Sequence, residues 1–301
     1  MIFSSASLEW VLIGLVVILG AALRVTSRHW ARYRRLRREE GRGKPWLLPR
    51  IPIEELDPVF RAPNPELGHT PETEVAFVSV GRMPVTGATS DYESWILAVL
   101  ARNAAKMFEF GTCTGRTAYL WARNSPPHAR VFTLTLDPGH AEAYRAETGD
   151  DPRDEADALR ETAFKSFVYT GTAVEHKVVQ LYGDSKAFDE TPYKASCDLI
   201  FVDGSHARSY VASDSVKALG MVKPGGLILW HDYRGPHRSG GVYHALNALS
   251  ERLPLVHIEG TSLVAYRKAE RQSTAVEKHV VPRAAMRRLS RERPRAVSAT
   301  D

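Results

Sequence analysis

The sequence predicts an α/β fold: a doubly wound, mainly parallel, seven-stranded sheet with helices on both faces. Segments with helical spacing alternate with short, largely apolar runs, which is the pattern of a parallel sheet that is covered on both faces. Acidic residues and a glycine turn stand at the ends of the first five runs, and ligands of such sheets bind at the carboxyl ends of the strands. The 301 residues, 44% of them hydrophobic, can form a substantial core and exclude global disorder.

The predicted elements follow one another from residue 90 onward. Residues 90–104 carry apolar side chains at helical spacing, and residues 106–110 are a strand that a glycine-containing turn joins to a helix over 117–124. Asp151 and Pro152 open a third helix, because Asp is a good N-cap and Pro is favoured in the first turn. The remaining strands are 131–136, 177–181, 198–202, 226–230, 255–259 and 262–266, and the remaining helices lie around 210–219 and 241–252. The last two strands, separated by a Gly-Thr turn, are expected to form an antiparallel pair.

The net charge of +5 is unevenly distributed along the chain. Residues 24–50 contain 10 basic and 2 acidic residues, and residues 267–301 contain 10 basic and 4 acidic residues. Residues 51–266, in contrast, hold 20 basic and 28 acidic residues. A nucleic-acid-binding protein should carry its basic surface on the folded domain, so we expect no nucleic-acid partner.

The N-terminal flank predicts a membrane anchor, a transmembrane helix within residues 1–25. Residues 10–23 are an unbroken apolar run of 14 residues, about 21 Å long as a helix and therefore shorter than the ~30 Å hydrocarbon core. The span can be completed if Glu9 lies at one interface and Arg24 at the other. Because the basic residues follow the apolar run, whereas those of a signal peptide precede it, we expect a single-pass protein with the rest of the chain in the cytoplasm. An interfacial helix and a cleaved or misassigned start are the alternatives.

Residues 26–70 are interpreted as a basic juxtamembrane segment and a linker. The basic part would bind an anionic membrane surface, and the proline-rich part, residues 45–68, is typical of a linker that wraps onto a domain. The folded domain then spans residues 71–268. Residues 269–301 lack sustained apolar periodicity and are predicted to be a basic, disordered tail. Two alternatives remain for this tail: it is solvated and makes no contact, or it forms a second contact with anionic lipid or with a partner.

Acidic residues gather where the predicted strands end. Glu109 lies in the first strand next to its end, and Asp137, Asp184, Asp203 and Asp232 follow the next four strands. Carboxylates at one edge of a sheet repel one another unless they bind a ligand. Any one of them alone is more simply a helix cap, but five in order along the chain predict a ligand site.

The turn after the first strand narrows the class of ligand. It runs from Gly111 to Gly115 with the spacing G-x-x-x-G. This turn differs from G-x-G-x-x-G, the spacing that lets a backbone approach a pyrophosphate, and so disfavours a dinucleotide cofactor and an NAD-linked oxidoreductase. A ligand without phosphates but with a cationic centre suits the acidic strand ends better.

Five motifs carry a resemblance to a known family: EFGTCTGRT (109–117), TLTLDP (133–138), LYGDS (181–185), DLIFVDGSH (198–206) and VKPGGLILWHDY (222–233). Over residues 77–268 the sequence resembles class I S-adenosylmethionine-dependent methyltransferases of the small-molecule O-methyltransferase-like branch. The resemblance implies a Rossmann-like fold with S-adenosyl-L-methionine as the cofactor. It also implies methyl transfer to a small or lipid-like hydroxyl compound, at the cytoplasmic membrane face if the anchor spans the membrane.

The resemblance further implies which residues bind the cofactor: Glu109, Gly111, Thr112, Gly115, Asp137, Asp184, Ser185 and Asp203. The residues of the glycine turn and Glu109 would lie against the methionine part. Asp137 would accept hydrogen bonds from the ribose hydroxyls, which is a role that a carboxylate fills well. Asp184 and Ser185 would lie near the adenine.

Methyl transfer to oxygen requires an acceptor hydroxyl that is aligned and deprotonated, by a base or with the help of a metal ion. Asp203, His206 and His231 are the candidate catalytic residues, and the two histidines are candidate general bases because imidazole titrates near neutral pH. In metal-dependent relatives, carboxylates after the fourth and fifth strands hold a divalent cation, and Asp203 and Asp232 match those positions. The set Asp203, His231 and Asp232 could bind a divalent metal such as Mg²⁺, although Mg²⁺ prefers oxygen ligands throughout. Without a metal, Asp203 would touch cofactor or substrate and Asp232 would cap a turn.

Other functions stay open beside O-methylation of a small-molecule substrate. The chain could methylate nitrogen or a sugar, or it could be a non-catalytic cofactor-binding fold that serves as an interaction module. The intact glycines and the strand-end acids argue against the interaction module. A homodimer is also open.

Overall fold

The computed structural model describes residues 19–20, 23–24, 26–27, 47–61, 79–80, 83–84, 89–237 and 239–270. The main sheet contains β1 (Arg50–Ile51), β4 (Lys106–Phe110), β5 (Arg130–Thr135), β6 (Val178–Tyr182), β7 (Cys197–Val202), β8 (Val222–Trp230), β9 (Val256–Ile258) and β10 (Val264–Arg267). A separate antiparallel pair consists of β2 (Ser79–Val80) and β3 (Met83–Pro84). The helices are α1 (Ile53–Leu56), α2 (Asp91–Ala101), α3 (Arg116–Asn124), α4 (Pro152–Glu161), α5 (Arg208–Met221) and α6 (Gly240–Ser250).

The strand order of the main sheet is β1-β9-β10-β8-β7-β4-β5-β6. All neighbouring strands are parallel except for β10, which is antiparallel to both β8 and β9. The predicted doubly wound, mainly parallel fold is therefore confirmed, and so is the antiparallel pair near its end. The chain leaves β4 outward through β5 and β6 and then returns to β7 on the other side of β4. The boundary between β4 and β7 is thus the switch point of the topology, where such sheets bind ligands.

The sheet has one strand more than the seven that we predicted. The additional strand, β1, belongs to the proline-rich segment and pairs in parallel with β9. The segment then packs the side chains of Ile53, Leu56 and Phe60 into the core, and Arg267 of β10 binds Asp57 at 2.5 Å. These contacts attach residues 50–60 to the sheet and to the core.

Both faces of the sheet are covered, because alternate residues of the central strands belong to two different hydrophobic clusters. Leu199 and Phe201 of β7 pack into the cluster that includes side chains of α2 and α3. Ile200 and Val202 of the same strand pack into the cluster that includes side chains of α5 and α6. A central strand that is buried on both faces is held rigidly, so the loop that follows β7 starts from a fixed position.

No helix within the described part of the chain is both long enough and apolar enough to cross a membrane. The predicted anchor, residues 1–25, lies outside the described residues except for residues 19–20 and 23–24. Most of the basic segment before residue 47 and the predicted tail after residue 270 also lie outside them.

Candidate active site

An open cavity lies beyond the carboxyl ends of β4, β5, β6 and β7. Four of the predicted cofactor-binding residues line it, namely Gly111, Asp184, Ser185 and Asp203. Tyr144 and Tyr210 contribute aromatic rings to the same lining, stacked on each other with centroids 4.5 Å apart. The site therefore lies at the switch point of the sheet, as the strand-end pattern predicts.

The glycine turn brings β4 into close contact with the end of β7. Gly111 has φ of 99°, and a Cβ atom at this position would lie 2.1 Å from the carbonyl oxygen of Asp203. Gly115 has φ of 77° and packs against Tyr169, whose ring would meet a Cβ at 2.7 Å. Both glycines are thus needed for the backbone conformation and for the space. Gly115 is not among the residues that line the cavity.

Glu109 and Thr112 lie beneath the turn in a buried hydrogen-bond network rather than on the cavity wall. Thr133 donates to Glu109 Oε2 at 2.6 Å, and its Oγ1 lies 2.8 Å from that of Thr112. Gln180 donates to the same Thr112 hydroxyl at 3.1 Å. Burial raises the pKa of Glu109 to about 8, so its carboxyl is protonated at neutral pH. Its position is that of a support for the turn.

Asp137, which the resemblance assigns to a ribose, makes local contacts instead. Its carboxylate accepts from the Gly139 amide at 2.8 Å and lies 3.1 Å from His140 Nδ1. It is absent from the lining of the cavity. The short turn after β5 thus holds this side chain away from the ligand site.

The lining of the cavity is acidic. It contains the carboxyls of Glu161, Asp184, Asp203 and Asp214, and no lysine or arginine among the described residues lines it. Burial raises the pKa of Glu161 to about 7, with the carboxylate of Asp203 adding to the shift, and burial also raises the pKa of Asp214 to about 7. Asp214 is 1% exposed, and its Oδ1 has no hydrogen-bond partner within the described structure.

Sequence reasoning missed Glu161 and Asp214, which lie on helices rather than at strand ends. For Asp214 a signal was available, because an acidic residue stands on the apolar face of α5 beside Val211 and Ala218. For Glu161 there was none, because it is one of four acidic residues on α4, and no residue of that helix is fully buried.

A polar cluster of His206, His231, Asp203 and Asp232 lies at the ends of β7 and β8, beside the cavity. His206 Nε2 lies 2.7 Å from Asp232 Oδ2, and His231 Nδ1 lies 2.9 Å from Asp203 Oδ1 and 3.4 Å from Asp232 Oδ1. Asp232 has φ of 62°, a left-handed conformation that Asp adopts more readily than most residues. The structure thus brings all four predicted residues together.

The carboxylates around the two histidines of this cluster favour their protonated forms. Burial alone would lower the pKa of His206, but the hydrogen bond and charge of Asp232 raise it to about 9. For His231 the carboxylates of Asp203, Asp232 and Glu93 likewise outweigh burial and raise the pKa well above its usual value. A protonated imidazole has to lose its proton before it can act as a general base, and that role stays a prediction for His206 and His231.

The grouping of potential metal ligands differs from the predicted one. The ligand atoms of Asp203, His206 and Asp232 lie within 4.8 Å of one another, so His206 stands where we predicted His231. His231 has carboxylates against both ring nitrogens and therefore lacks a free lone pair for a metal. A donor set of one imidazole and two carboxylates suits a transition metal such as Mn²⁺ or Zn²⁺ better than Mg²⁺. His206 would have to lose its proton to bind one.

Part of the chain is similar to a known protein family. Residues 108–233 match the family model described as a methyltransferase domain. No curated protein sequence matches the chain.

Two solved structures are among those to which the chain is similar. The O-methyltransferase TomG from Streptomyces achromogenes, in complex with SAM, is 21% identical over 61% of this chain and 82% of its own length, with a TM-score of 0.42. The SAH-bound methyltransferase PaMTH1 from Podospora anserina is 19% identical over 63% of this chain and 83% of its own length, with a TM-score of 0.44.

Proposed function

We propose that the chain is an S-adenosylmethionine-dependent methyltransferase acting on the hydroxyl group of a small or lipid-like compound, and the match of residues 108–233 to the family model described as a methyltransferase domain supports the proposal. The observation that carries this proposal is the acidic lining of the cavity, where no described lysine or arginine balances four carboxyls. S-adenosylmethionine supplies a methyl group on a positively charged sulfonium centre and has no phosphate. The lining favours such a cation and would repel a phosphorylated cofactor.

Four lining residues would hold this cofactor. Gly111 has no side chain, so the turn can approach a ligand closely. Asp184 and Ser185 offer hydrogen-bonding groups suited to an adenine, and Asp203 adds negative charge near the switch point. Asp137 would reach a ribose only if it gave up its contacts with Gly139 and His140.

The protein's part in the reaction is to orient the acceptor hydroxyl and to accept its proton. Asp203 is the residue that suits this role best, because it lines the cavity and burial raises the pKa of its carboxyl, which makes the carboxylate a stronger base. His206 beside Asp232 carries positive charge and would stabilise negative charge that develops on the acceptor oxygen. A divalent cation held by Asp203, His206 and Asp232 would fill the same role by lowering the pKa of the hydroxyl.

Transfer by the full-length protein tests the function directly. The protein is incubated with S-adenosylmethionine and with separate phenols, catechols, sugars and lipid alcohols, and S-adenosylhomocysteine and the methylated product are measured by mass spectrometry. We expect product with at least one class of hydroxyl compound. Asp203→Asn should abolish transfer without unfolding the protein, and Asp189→Asn, at an exposed position outside the cavity, should not.

Two results of this experiment would contradict the proposal. One is the absence of methylated product from every hydroxyl class, and the other is unchanged turnover in Asp203→Asn. Turnover measured in the presence of EDTA tests whether a metal ion takes part in the reaction. If EDTA abolishes turnover and Mn²⁺ or Mg²⁺ restores it, the result supports a metal ion at Asp203, His206 and Asp232. Unchanged turnover in EDTA contradicts a role for a metal ion there.

We also propose that the N-terminal flank tethers the domain to the cytoplasmic face of a membrane. The support is in the sequence, where the apolar run of residues 10–23 precedes ten basic residues between positions 24 and 50. Full-length protein should stay in the membrane fraction after a carbonate wash, and protein lacking residues 1–25 should leave it. Full-length protein in the soluble fraction would contradict the tether but not the chemistry.

A further inference from the structure

Glu93 makes more contacts than a helix cap requires. It lies in the first turn of α2 and is only 3% exposed. Its Oε2 accepts from the amide of Ser90 at 2.9 Å and from the hydroxyl of Ser90 at 2.7 Å, which completes a capping box at the start of the helix. A capping box can be built with an exposed glutamate, so these bonds do not explain why this carboxylate is buried.

The remaining contacts of Glu93 reach two elements that are distant in sequence. Its Oε1 accepts from the amide of Ser262 at 2.7 Å and from the hydroxyl at 2.8 Å, in the turn between β9 and β10. Its Oε2 lies 3.4 Å from Nε2 of His231, directly after β8. A buried carboxylate is costly unless hydrogen-bond donors lie against it, and the ring of His231 lies against this one beside the donors of Ser90 and Ser262. Burial would raise the pKa of Glu93, but His231 and the serine donors lower it well below its usual value.

His231 connects Glu93 to the wall of the cavity. Its Nδ1 lies 2.9 Å from Asp203 Oδ1, while its Nε2 faces Glu93. With an acceptor on each side, both ring nitrogens donate, and the ring cannot rotate without losing one of the two bonds. Asp203 lines the cavity, whereas Glu93 and His231 do not.

We propose that Glu93 is a positioning residue for the methyl transfer: it fixes the ring of His231, and His231 holds the carboxylate of Asp203 toward the acceptor. This inference rests on the proposed function. It gives His231 a positioning role as well, in place of the catalytic role predicted from the sequence. Glu93 itself touches neither the acceptor nor the cofactor.

The test compares Glu93→Gln with Ser90→Ala in the full-length protein. Gln keeps the length of the side chain and removes the charge that faces His231, whereas Ser90→Ala weakens the same helix start and leaves that charge in place. Glu93→Gln should lower kcat about 10- to 100-fold while KM for S-adenosylmethionine changes less than about twofold. Ser90→Ala should lower the midpoint of thermal unfolding and leave kcat unchanged. Wild-type kcat in Glu93→Gln would overturn the proposal.

A double-mutant cycle tests whether Glu93 acts through His231. If it does, adding Glu93→Gln to a His231→Asn protein should cause no further loss of kcat. Independent, multiplying losses would overturn the proposal. If Glu93→Gln does not fold, Glu93→Asp takes its place, because the shorter side chain cannot keep Ser262 and His231 together. Wild-type kcat in Glu93→Asp would then overturn it.

A measurement without turnover separates this inference from the function on which it rests. Proton NMR of the imidazole N–H groups should show a strongly downfield His231 Nδ1–H in the wild type and in Ser90→Ala, from the hydrogen bond to Asp203. The signal should disappear or shift in Glu93→Gln, and an unchanged signal would overturn the positioning. Wild-type protein without turnover would overturn the proposed function, while the NMR comparison still decides whether Glu93 fixes His231.

Discussion

The backbone of Gly111 lies directly against the carbonyl of Asp203, so closely that a Cβ at position 111 would come within 2.1 Å of that oxygen. The two residues directly follow β4 and β7, and these strands flank the switch point of the sheet. The contact therefore sets the distance between the glycine turn and the carboxylate on which the proposed chemistry depends. A larger side chain at position 111 should therefore displace the backbone of Asp203.

Gly111→Ala tests this contact. Gly111 and Gly149 share φ of 99°, but no atom lies within 4 Å of a Cβ built at position 149. Gly149→Ala thus measures the backbone strain alone, of about 1 kcal/mol. We expect Gly111→Ala to lower the free energy of unfolding by about 2 kcal/mol or more beyond that control and to abolish cofactor binding, as measured by chemical denaturation and calorimetry. Equal losses in the two variants would mean that the contact with Asp203 is not tight.

Glu109→Gln should make the protein less sensitive to alkaline pH. The pKa of Glu109 is raised from 4.5 to about 8, mainly by burial, so the folded protein holds a proton that the unfolded chain releases above pH 4.5. The free energy of unfolding should therefore fall as pH rises from 4.5 to 8, and further ionisation adds nothing above that window. Gln removes this contribution because it does not ionise.

Denaturation at pH 5 and at pH 8 measures the effect. The loss of stability between the two values should be smaller in Glu109→Gln than in the wild type by at least about 1 kcal/mol. Glu142→Gln, at an exposed site, should behave like the wild type. If Glu109→Gln loses as much stability between pH 5 and pH 8 as the wild type and Glu142→Gln do, then Glu109 is not a buried, protonated acid.

Glu161→Gln should distinguish a charged ligand from a neutral one. Glu161 lines the cavity, and burial followed by the charge of Asp203 raises its pKa to about 7. Above that pH its carboxylate should attract the sulfonium of S-adenosylmethionine but not the neutral thioether of S-adenosylhomocysteine. At pH 8 we expect Glu161→Gln to weaken binding of S-adenosylmethionine about 3- to 10-fold and to leave S-adenosylhomocysteine nearly unchanged.

The matched control for this prediction is Glu155→Gln, on the same helix but outside the cavity lining. It should leave both affinities at wild-type values. Equal weakening of both ligands by Glu161→Gln would show that the residue acts through shape or hydrogen bonds rather than through charge.

Apolar patterning predicted the central strands well, and it failed where pairing depends on tertiary contacts. Residues 106–110 were predicted as a strand and form β4, because five largely buried residues between a helix and a glycine turn have few alternatives. The two residues of β1 carry no such pattern, and only their pairing with β9 makes them a strand.

The candidate site follows the same division. The topology alone brings Gly111, Asp184, Ser185 and Asp203 to one edge of the sheet, so their places in the chain were enough to find them. The orientation of a side chain is decided locally, and this is why Asp137 turns to Gly139 instead of the cavity.

The roles of the remaining site residues depend on contacts between segments that are distant in sequence. His206 rather than His231 joins the potential metal ligands, because His231 lies between Glu93 and Asp203. The role proposed for Glu93 could not be predicted from the sequence. A glutamate three residues after Ser90 is already explained by the capping box at the start of the helix.

Calorimetry of S-adenosylmethionine with the full-length protein tests the central claim most directly, that the acidic cavity at the switch point holds this cofactor. We expect one site per chain with a Kd of about 1–100 μM, equivalent to about −8 to −5.5 kcal/mol. S-adenosylhomocysteine should compete for it, Gly111→Ala should abolish it, and NADH should give no heat. No binding of S-adenosylmethionine at millimolar concentration, or binding that Gly111→Ala leaves unchanged, would contradict the account.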